Sequence, residues 1–347
     1  MHIGAVELRS PLLLAPMAGL TDAPFRRLCQ RFGAGLTCCE MVAANPALRT
    51  TRTSRERLVV EASEHPLAMQ IVGADPQAMA DQARYCVDQG AAIIDINLGC
   101  PARKVCRQAA GSALLRDEPL IGRILSAVVS AVTVPVTVKT RTGWSPNTRN
   151  LDRIAALAVD HGIALLSVHG RTRACSYAVA AEHDSLAAVR PQVRLPLAAN
   201  GDIDSPQRAK AVLDQTGADA LMIGRAALGQ PWIFAQIRHF LHSGELMPAP
   251  SLLTVRTLIL EHLESLYAWY GNQRGVLIAR KHLSYYQRRL AGELDQNPAL
   301  LTATTPLAQR QAALHIINRD EAFKHYAPQH DCVPAIWHDT APRQPDG

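Results

Sequence analysis

Eight short apolar runs, rich in β-formers, recur at nearly even spacing along the chain. They read LLLAPM (12–17), LTCCEM (36–41), LAMQIV (67–72), IIDINL (93–98), VPVTVKTR (134–141), ALLSVHG (164–170), LPLAANGD (195–202) and ADALMIGR (218–225). Continuous apolar strands of this kind belong to a parallel sheet covered on both faces. Amphipathic helical stretches lie between most of them. DPQAMADQARYCVDQG opens with Asp75 as a cap and Pro76 in the first helical position, and Gly90 closes it; DSPQRAKAVLDQTG (204–217) repeats the layout. Eight such units over about 225 residues predict a (β/α)8 TIM barrel in preference to an open doubly wound sheet. The second unit, with its helix near 54–60, is the least regular.

After QPWIF (230–234) the strand rhythm stops. Residues 252–290 show helical periodicity, and 305–326 read as a further helix with Thr305 capping and Pro306 first. The segment 327–347, rich in Pro, Asp and His, reads as a loose tail. The predicted architecture is therefore α/β: a barrel over 1–240, a smaller all-helical domain over 250–326, and a tail from 327 to 347.

Composition excludes several classes. A chain of 347 residues with 48% hydrophobic and 19% charged content describes a soluble globular protein with a large core. Met1–Arg9 lack the layout of a signal peptide, and no uninterrupted apolar stretch is long enough to span a bilayer. Of the cysteines at 29, 38, 39, 86, 100, 106, 175 and 332, five fall within predicted helices or strands and none forms Cys-x-x-Cys. A chain this large needs no disulfide staples, so a reducing cytoplasm is expected, without membrane attachment or an obligate protein partner. Zinc-spaced Cys/His clusters, HExxH and GxxxxGK[ST] are absent, and no metal is expected. The net charge of +6 mildly favours a polyanionic partner.

In such barrels chemistry gathers at the C-terminal ends of the strands. Polar and glycine residues accumulate there: Pro16-Met17-Ala18-Gly19, Glu40, Gln70, Asn97 to Cys100, Lys139 and Arg141, His169 to Arg171, Asn200-Gly201-Asp202, and Gly224-Arg225. The last two groups suit a phosphate, because the loops after strands seven and eight often bind one. Gly201 and Gly224 permit close backbone approach and Arg225 a two-pronged contact, although either glycine alone is equally an ordinary turn residue. GAGLTC (33–38) lacks the third glycine of a dinucleotide fingerprint and follows a helix, so a mononucleotide such as FMN fits better. Lys139 then favours an anionic reduced flavin electrostatically, unless it belongs to a structural ion pair. Gln70 offers amide contacts to a flavin edge, and His169 reads either as a rim group or as a satisfied core histidine.

Cys100 stands apart from Cys29, Cys38, Cys39 and Cys86, which read as buried apolar thiols. Gly99 frees the backbone before it and Pro101 stiffens the backbone after it. A nucleophile needs a thiolate and usually a His partner, whereas an acid needs the neutral thiol. Beside a hydride donor the acid role is chemically sensible, because reducing an activated C=C bond takes a hydride on one carbon and a proton on the next.

The segments LLLAPMAGLTDAPFRRLC, INLGCPARKV with AGSALL, VKTRTGW, VHGRTRAC, ANGDI and ADALMIGRAALGQPWIF together resemble the tRNA-dihydrouridine synthase family, most closely its bacterial B type. The resemblance runs from the N-terminus to about residue 290. It implies an FMN-dependent barrel, a helical tRNA-binding domain, and reduction of a uracil base in tRNA to dihydrouracil with NADPH as the electron source. By the same resemblance, Pro16, Met17, Ala18, Gln70, Lys139, His169, Asn200, Gly201, Asp202, Gly224 and Arg225 form the FMN shell. Cys100 matches the proton donor, and Asn97 and Arg141 match positions near the uracil. The resemblance further implies that hydride passes from flavin N5 to uracil C6 and that Cys100 protonates C5, on a nucleotide flipped out of the folded tRNA. One departure is Val179, where B-type relatives usually carry glycine.

The helical region adds RGVLIARKHLSYYQRRL (274–290), in which Arg274, Arg280, Lys281, Arg288 and Arg289 meet no acid. Positions 281, 285 and 289 share a face with Lys, Tyr and Arg, a mixture suited to a nucleic acid, and Arg280 and Lys281 are the expected tRNA contacts. Two readings compete. One is an FMN barrel reductase of a small molecule, such as a dihydroorotate dehydrogenase or an ene-reductase; the basic aromatic helix opposes it. The other is an RNA-binding protein without flavin or activity, opposed by the intact Cys100, Lys139 and Asn200-Gly201-Asp202.

Overall fold

The computed structural model describes residues 1–61, 64–291 and 298–317. Eight strands close into a ring: β1 (Leu12–Leu14), β2 (Leu36–Cys38), β3 (Leu67–Val72), β4 (Ile93–Leu98), β5 (Val136–Arg141), β6 (Leu165–His169), β7 (Leu197–Asn200) and β8 (Ala220–Ile223). Each pairs in parallel with its sequence neighbours, and β8 pairs with β1 to close the barrel. Every residue of β3 and β4 is buried, which is why these runs show no polar alternation. The strands are shorter than the apolar runs because each run continues into the loop that carries its polar residues.

Strand two is the exception in form. LTCCEM leaves the ladder after Cys38, and the chain rejoins β3 at Val42–Ala43. Glu40 sits in the gap, where its carboxylate accepts the Gly19 N–H at 2.7 Å and Arg57 Nη2 at 2.9 Å. Those bonds tie the loops after β1 and β2 together.

The barrel helices are α1 (Ala23–Arg31), α2 (Arg52–Leu58), α3 (Pro76–Asp88), α4 (Glu118–Ala131), α5 (Leu151–Asp160), α6 (Asp184–Val189), α7 (Pro206–Thr216) and α8 (Ile233–Ser243). The predicted caps operate: Asp75 accepts the Ala78 N–H at 2.7 Å, Ser205 accepts that of Arg208 at 3.2 Å, and Gly217 ends α7 at φ +59°. An N-terminal hairpin, His2–Ile3 against Val6–Glu7, turns at Gly4 with φ +54° and was not expected from the sequence. Two-residue strands are too short to carry a period. Ile3 and Leu8 join Leu13, Leu36, Ala68, Ile93, Leu165, Ala198 and Ala220 in one apolar cluster, so the hairpin lies against the barrel core.

The chain divides into two compact units, the first comprising Met1–Ala227 with Ile233–Leu241 and the second Leu228–Trp232 with the chain from His242. The second contains α9 (Leu252–Tyr270), α10 (Asn272–Ala291), α11 (Pro298–Thr302) and α12 (Pro306–Ile317). The stretch 252–290 is helical, in two helices that part at Gly271, whose φ of +79° ends α9. A Cβ at Gly275 would lie 2.9 Å from Leu266 O and Tyr267 Cα, so α9 and α10 meet at a contact only glycine permits. Tyr267 donates to Gln309 Oε1 at 2.8 Å and Gln309 Nε2 donates to Val276 O at 3.0 Å, binding α12 to both. Thr305 caps α12 as expected, accepting the Ala308 N–H at 3.2 Å. The rest of the expected helix (318–326), the tail 327–347 and Cys332 lie outside the described residues. Among the described residues all seven cysteines are free thiols, and no helix is long and apolar enough to cross a membrane.

Candidate active site

Period-two geometry puts Asp95 and Asn97 on one face of β4 and Thr137, Lys139 and Arg141 on one face of β5. That face is the barrel interior. Lys139 Nζ on β5 donates to Asn200 Oδ1 on β7 at 3.1 Å, a bond between strands that are not neighbours. Asn200 Nδ2 donates to Met222 O on β8 at 2.7 Å, which fixes its amide with the oxygen toward Lys139. Asn97 stands opposite Lys139 in register, and Arg141 opposite His169. Removal from water, followed by repulsion from Arg141, pushes the Lys139 ammonium down to about 8. Asn200 Oδ1 is its one hydrogen-bond acceptor among the described residues, and no carboxylate there forms an ion pair with it. Lys139 therefore keeps donors for a ligand in the barrel mouth.

A chain of hydrogen bonds leads from the barrel interior to the thiol loop. The Asp95 carboxylate accepts Thr137 Oγ1 and Gln70 Nε2, each at 2.7 Å. Gln70 Oε1 accepts Asn97 Nδ2 at 2.7 Å, and Asn97 Oδ1 accepts the N–H groups of Gly99 at 3.0 Å and Cys100 at 2.8 Å. Burial raises the Asp95 carboxyl, but both its oxygens act as acceptors here, so Asp95 sets which way the Gln70 amide faces, and Gln70 in turn sets Asn97. Asn97, expected beside the uracil, thus has its amide engaged in shaping the Cys100 turn.

The other side of Cys100 is equally held. Its carbonyl accepts Ser112 Oγ at 2.8 Å and the Ser112 N–H at 3.1 Å, while Arg141 Nε donates to Gly99 O at 2.9 Å. Gly111 has φ +62°, and a Cβ there would lie 3.0 Å from Cys100 O. Asp95, Gly111 and Ser112 were not among the expected site residues. An acid in the apolar strand IIDINL and the glycine of AGSALL are the signals that point to them. Burial raises the Cys100 thiol, outweighing the Ala102 N–H and the nearby cations, so it is held neutral.

His169 is buried, and desolvation with the surrounding cations Lys139, Arg141, Arg171 and Arg225 pushes it down to about 2. Its Nε2 lies 3.0 Å from Arg171 Nη1. A guanidinium only donates, so Nε2 accepts and the ring proton sits on Nδ1. Gly201 makes room for the ring: at φ +121° a Cβ would come within 2.9 Å of His169 Cδ2 and 2.7 Å of Ala181 Cβ. An imidazole so weakly basic, with its acceptor nitrogen taken by Arg171, does not suit the role of a base generating a thiolate.

Asp202 adopts φ +51°, a left-handed conformation that short polar side chains tolerate. Its carboxylate accepts Arg171 Nη2 at 2.6 Å, the Ala181 N–H at 2.8 Å and Arg225 Nη2 at 2.9 Å. Burial opposes ionisation, but the Ala181 N–H and the two guanidinium groups prevail and hold its carboxyl below the usual range. Arg225 is half exposed, and its guanidinium lies 4.3 Å from the Tyr177 ring centre. Val179 fits this loop without left-handed backbone; its N–H donates to Ser176 O at 3.3 Å and its carbonyl accepts Arg171 Nε at 2.7 Å. Pro16 and Met17 are half-buried and Ala18 exposed in the loop after β1, where the Met17 N–H donates to Thr21 Oγ1 at 2.9 Å.

These residues fit a flavin mononucleotide by the chemistry of their donors. Lys139 and Gln70 line the interior, and Arg225 supplies a cation at the β8 end. A Cβ at Gly224 would meet only ordinary contacts, 3.6 Å to Ala15 Cβ and 3.7 Å to Met17 Sδ, and its φ is unexceptional. Nothing among the described residues requires glycine there, whereas a ligand approaching the backbone would. In the second unit, Lys281 and Arg289 are exposed and Tyr285 is half-buried on α10. Arg280 is half-buried and donates to Ala303 O at 2.9 Å, so its guanidinium also links α10 to the segment after α11.

A family model described as Dihydrouridine synthase (Dus) matches residues 13–319. The chain belongs to the dihydrouridine synthase family. Among curated members, tRNA-dihydrouridine synthase B of Xanthomonas axonopodis pv. citri is 52% identical over 309 residues, covering 89% of this chain and 93% of that one. The protein of the same name from Salmonella typhimurium is 51% identical over 314 residues, covering 90% and 98%. That from Pseudomonas aeruginosa is 53% identical over 292 residues, covering 84% and 88%. In fold, this dihydrouridine synthase is similar to the solved structure of an old yellow enzyme homologue from Zymomonas mobilis, with a TM-score of 0.51 at 15% identity over 71% of this chain and 92% of that chain.

Proposed function

We propose that this chain is an FMN-dependent tRNA-dihydrouridine synthase that reduces the C5=C6 bond of a uridine in tRNA, with NADPH as reductant. The observation that carries this reading is its similarity, over nearly the full length of both chains, to proteins named tRNA-dihydrouridine synthase B. Bound FMN supplies the hydride for uracil C6. Lys139, Gln70, His169, Asn200 and Gly201 hold and polarise the flavin ring, and Gly224 and Arg225 receive its phosphate. Pro16, Met17 and Ala18 line the loop beside it, and Asp202 aims Arg225. Cys100 gives its proton to C5 and regains one from solvent. Asn97 and Ser112 fix where that thiol points, and Arg141 steadies the Gly99 carbonyl beside it. The helical residues 250–326 serve as the tRNA-binding domain, through Lys281 and its neighbour Arg280.

The test is flavin reoxidation in the NADPH-reduced enzyme. Unmodified tRNA should reoxidise it and yield dihydrouridine. Rapid reoxidation by orotate or free uridine, with none by tRNA, would replace this reading with a small-molecule reductase. A purified protein that takes up no FMN would favour the inactive RNA-binding alternative.

Two cofactor predictions follow from the geometry. Removing a charge-assisted hydrogen bond costs about 1.5–3 kcal/mol, so Arg225→Ala should weaken FMN binding roughly 10- to 100-fold. Equal FMN affinity in the variant would refute the phosphate assignment. Lys139 carries its charge below about 8 and loses it above. FMN affinity for the apoprotein should therefore decline as pH rises from 7 to 9, by fluorescence quenching, and Lys139→Met should flatten that profile. A profile equally steep in the variant would place the titrating group elsewhere.

A further inference from the structure

Beyond the thiol, the loops after β4, β5 and β6 carry cations that the proposed chemistry does not use. Trp144, half-buried in the loop after β5, is the centre of one group. The Arg116 guanidinium lies 4.3 Å from its ring centre and that of Arg173 4.5 Å. Arg116 ends the Gly111–Arg116 turn of the β4 loop, and Arg173 follows β6. Three successive loops therefore contribute one member each.

The stack is rigidly mounted. The Arg173 N–H donates to Gly143 O at 2.9 Å and the Ala174 N–H to Trp144 O at 3.0 Å. Arg141 Nη1 donates to Thr172 O at 3.0 Å, so the stack and the Cys100 loop share one backbone frame through Arg141. Exposed Arg103, Lys104 and Arg107 lie in the same β4 loop, between Cys100 and Arg116.

No carboxylate among the described residues forms an ion pair with Arg103, Lys104, Arg107, Arg116 or Arg173. The nearby acids are engaged elsewhere: Asp117 caps α4, Glu118 binds Arg153 and Asn150, and Glu182 binds Ser185 and Arg149. Arg173 Nε is buried and has no hydrogen-bond partner. A guanidinium stacked on an aromatic face keeps its in-plane N–H edge for an oxyanion, and the fork of an arginine matches a phosphate.

We infer that the Arg116–Trp144–Arg173 stack, with Arg103, Lys104 and Arg107, is a docking surface on the barrel for the phosphodiester backbone of the RNA strand beside the nucleotide being reduced. This rests on the reading of the chain as a tRNA-dihydrouridine synthase. A strand whose base enters the mouth must run its phosphates over the surrounding loops, and these loops offer cations without competing acids. Trp144 holds both guanidinium groups in fixed places, which lowers the ordering cost of binding.

The experiment uses the full-length, FMN-loaded protein. Affinity for unmodified tRNA is measured from about 50 to 200 mM salt for wild type, Arg116→Gln, Arg173→Gln and the double variant. Every cation–phosphate pairing that a substitution removes should reduce the log–log salt slope by about 0.7–0.9. The double variant should bind roughly tenfold more weakly at low salt, with KM for tRNA raised and kcat at saturating tRNA retained. FMN content and the rate of flavin reduction by NADPH should stay at wild-type values. Trp144→Leu should lose part of the affinity and Trp144→Phe should restore it.

Wild-type affinity and slope in the double variant would overturn the inference while leaving the proposed function intact. Failure of the wild type to bind tRNA would instead overturn the proposed function. Arg116 is exposed and holds no structural hydrogen bond among the described residues, so Arg116→Gln alone tests the surface if the Arg173 variants fold poorly. Binding of an acidic protein, with tRNA affinity unchanged, would assign the surface to that other class of partner and refute the RNA reading.

Discussion

Cys100→Ala is expected to bind FMN and accept electrons from NADPH as the wild type does, while turnover on tRNA falls by roughly 10²–10⁴. The expectation rests on the state of the thiol and on how it is held. Burial raises its pKa, and His169 cannot take its proton, because burial and cations suppress the basicity of that imidazole and Arg171 occupies its acceptor nitrogen. A group that keeps its proton at neutral pH is suited to donate one. Four hydrogen bonds fix the backbone of Cys100 itself: its N–H donates to Asn97 Oδ1, and its carbonyl accepts Ser112 Oγ, the Ser112 N–H and Cys106 Sγ. Deleting one sulfur therefore removes the donor without disturbing the loop. Rapid-mixing measurements separate the two halves: flavin reduction by NADPH should be unchanged and reoxidation by tRNA slowed. Wild-type reoxidation would strike out the proton-donor role. Slowed flavin reduction would mean that the variant had damaged the cofactor site instead. Because the thiol titrates above its ordinary range, raising the pH through 8 should not itself abolish reoxidation.

The eight strands were legible because burial on both faces leaves a continuous apolar run, and a glycine or polar residue marks where each run meets the mouth. The same rule located Lys139, His169, Asn200 and Gly201, which the structure brings to one rim. Pairings between distant residues were not legible. Nothing in IIDINL says that Asp95 orients Gln70 and, through it, Asn97. Spacing also gives no sign that Ser112 holds the carbonyl of Cys100 from twelve residues away. The split of strand two at Glu40 was hidden because Cys39 and Met41 are as apolar as their neighbours, and only the partners Arg57 and Gly19 reveal what the carboxylate does. The helical periodicity over 252–290 did not say where one helix ends and the next begins; the break at Gly271 is a matter of backbone φ, which a lone glycine does not declare. The face of α10 proposed to meet tRNA is a further example. The basic face of α10 was visible as a charge run, but that Arg280 also bonds Ala303 depends on a segment outside that helix.

Arg26→Met is expected to destabilise the protein by about 3–5 kcal/mol, read as a shift in the urea midpoint at constant slope. Arg26 on α1 and Glu64 before β3 are almost wholly buried, at 1% and 0% side-chain exposure, with Arg26 Nη2 3.0 Å from Glu64 Oε1. Arg26 Nε donates to Oε1 at 3.1 Å and Nη2 to Oε2 at 3.3 Å, so the contact is two-pronged. Removing the arginine leaves a carboxylate without its counter-charge. Burial already raises the Glu64 carboxyl despite Arg26, so desolvation outweighs attraction within this pair. A pair in that condition contributes little net stability, and the double variant Arg26→Met with Glu64→Leu should recover most of the loss. The consequence reaches the Met17 loop, proposed to lie beside the cofactor, because Arg26 Nη1 also donates to Thr21 O at 3.1 Å, and Thr21 Oγ1 accepts the Met17 N–H. The double variant should therefore regain stability but release FMN more readily than the wild type. Full recovery of both properties would sever the link from α1 to Met17, and an Arg26→Met protein as stable as the wild type would mean that water or a neighbouring group already compensates Glu64.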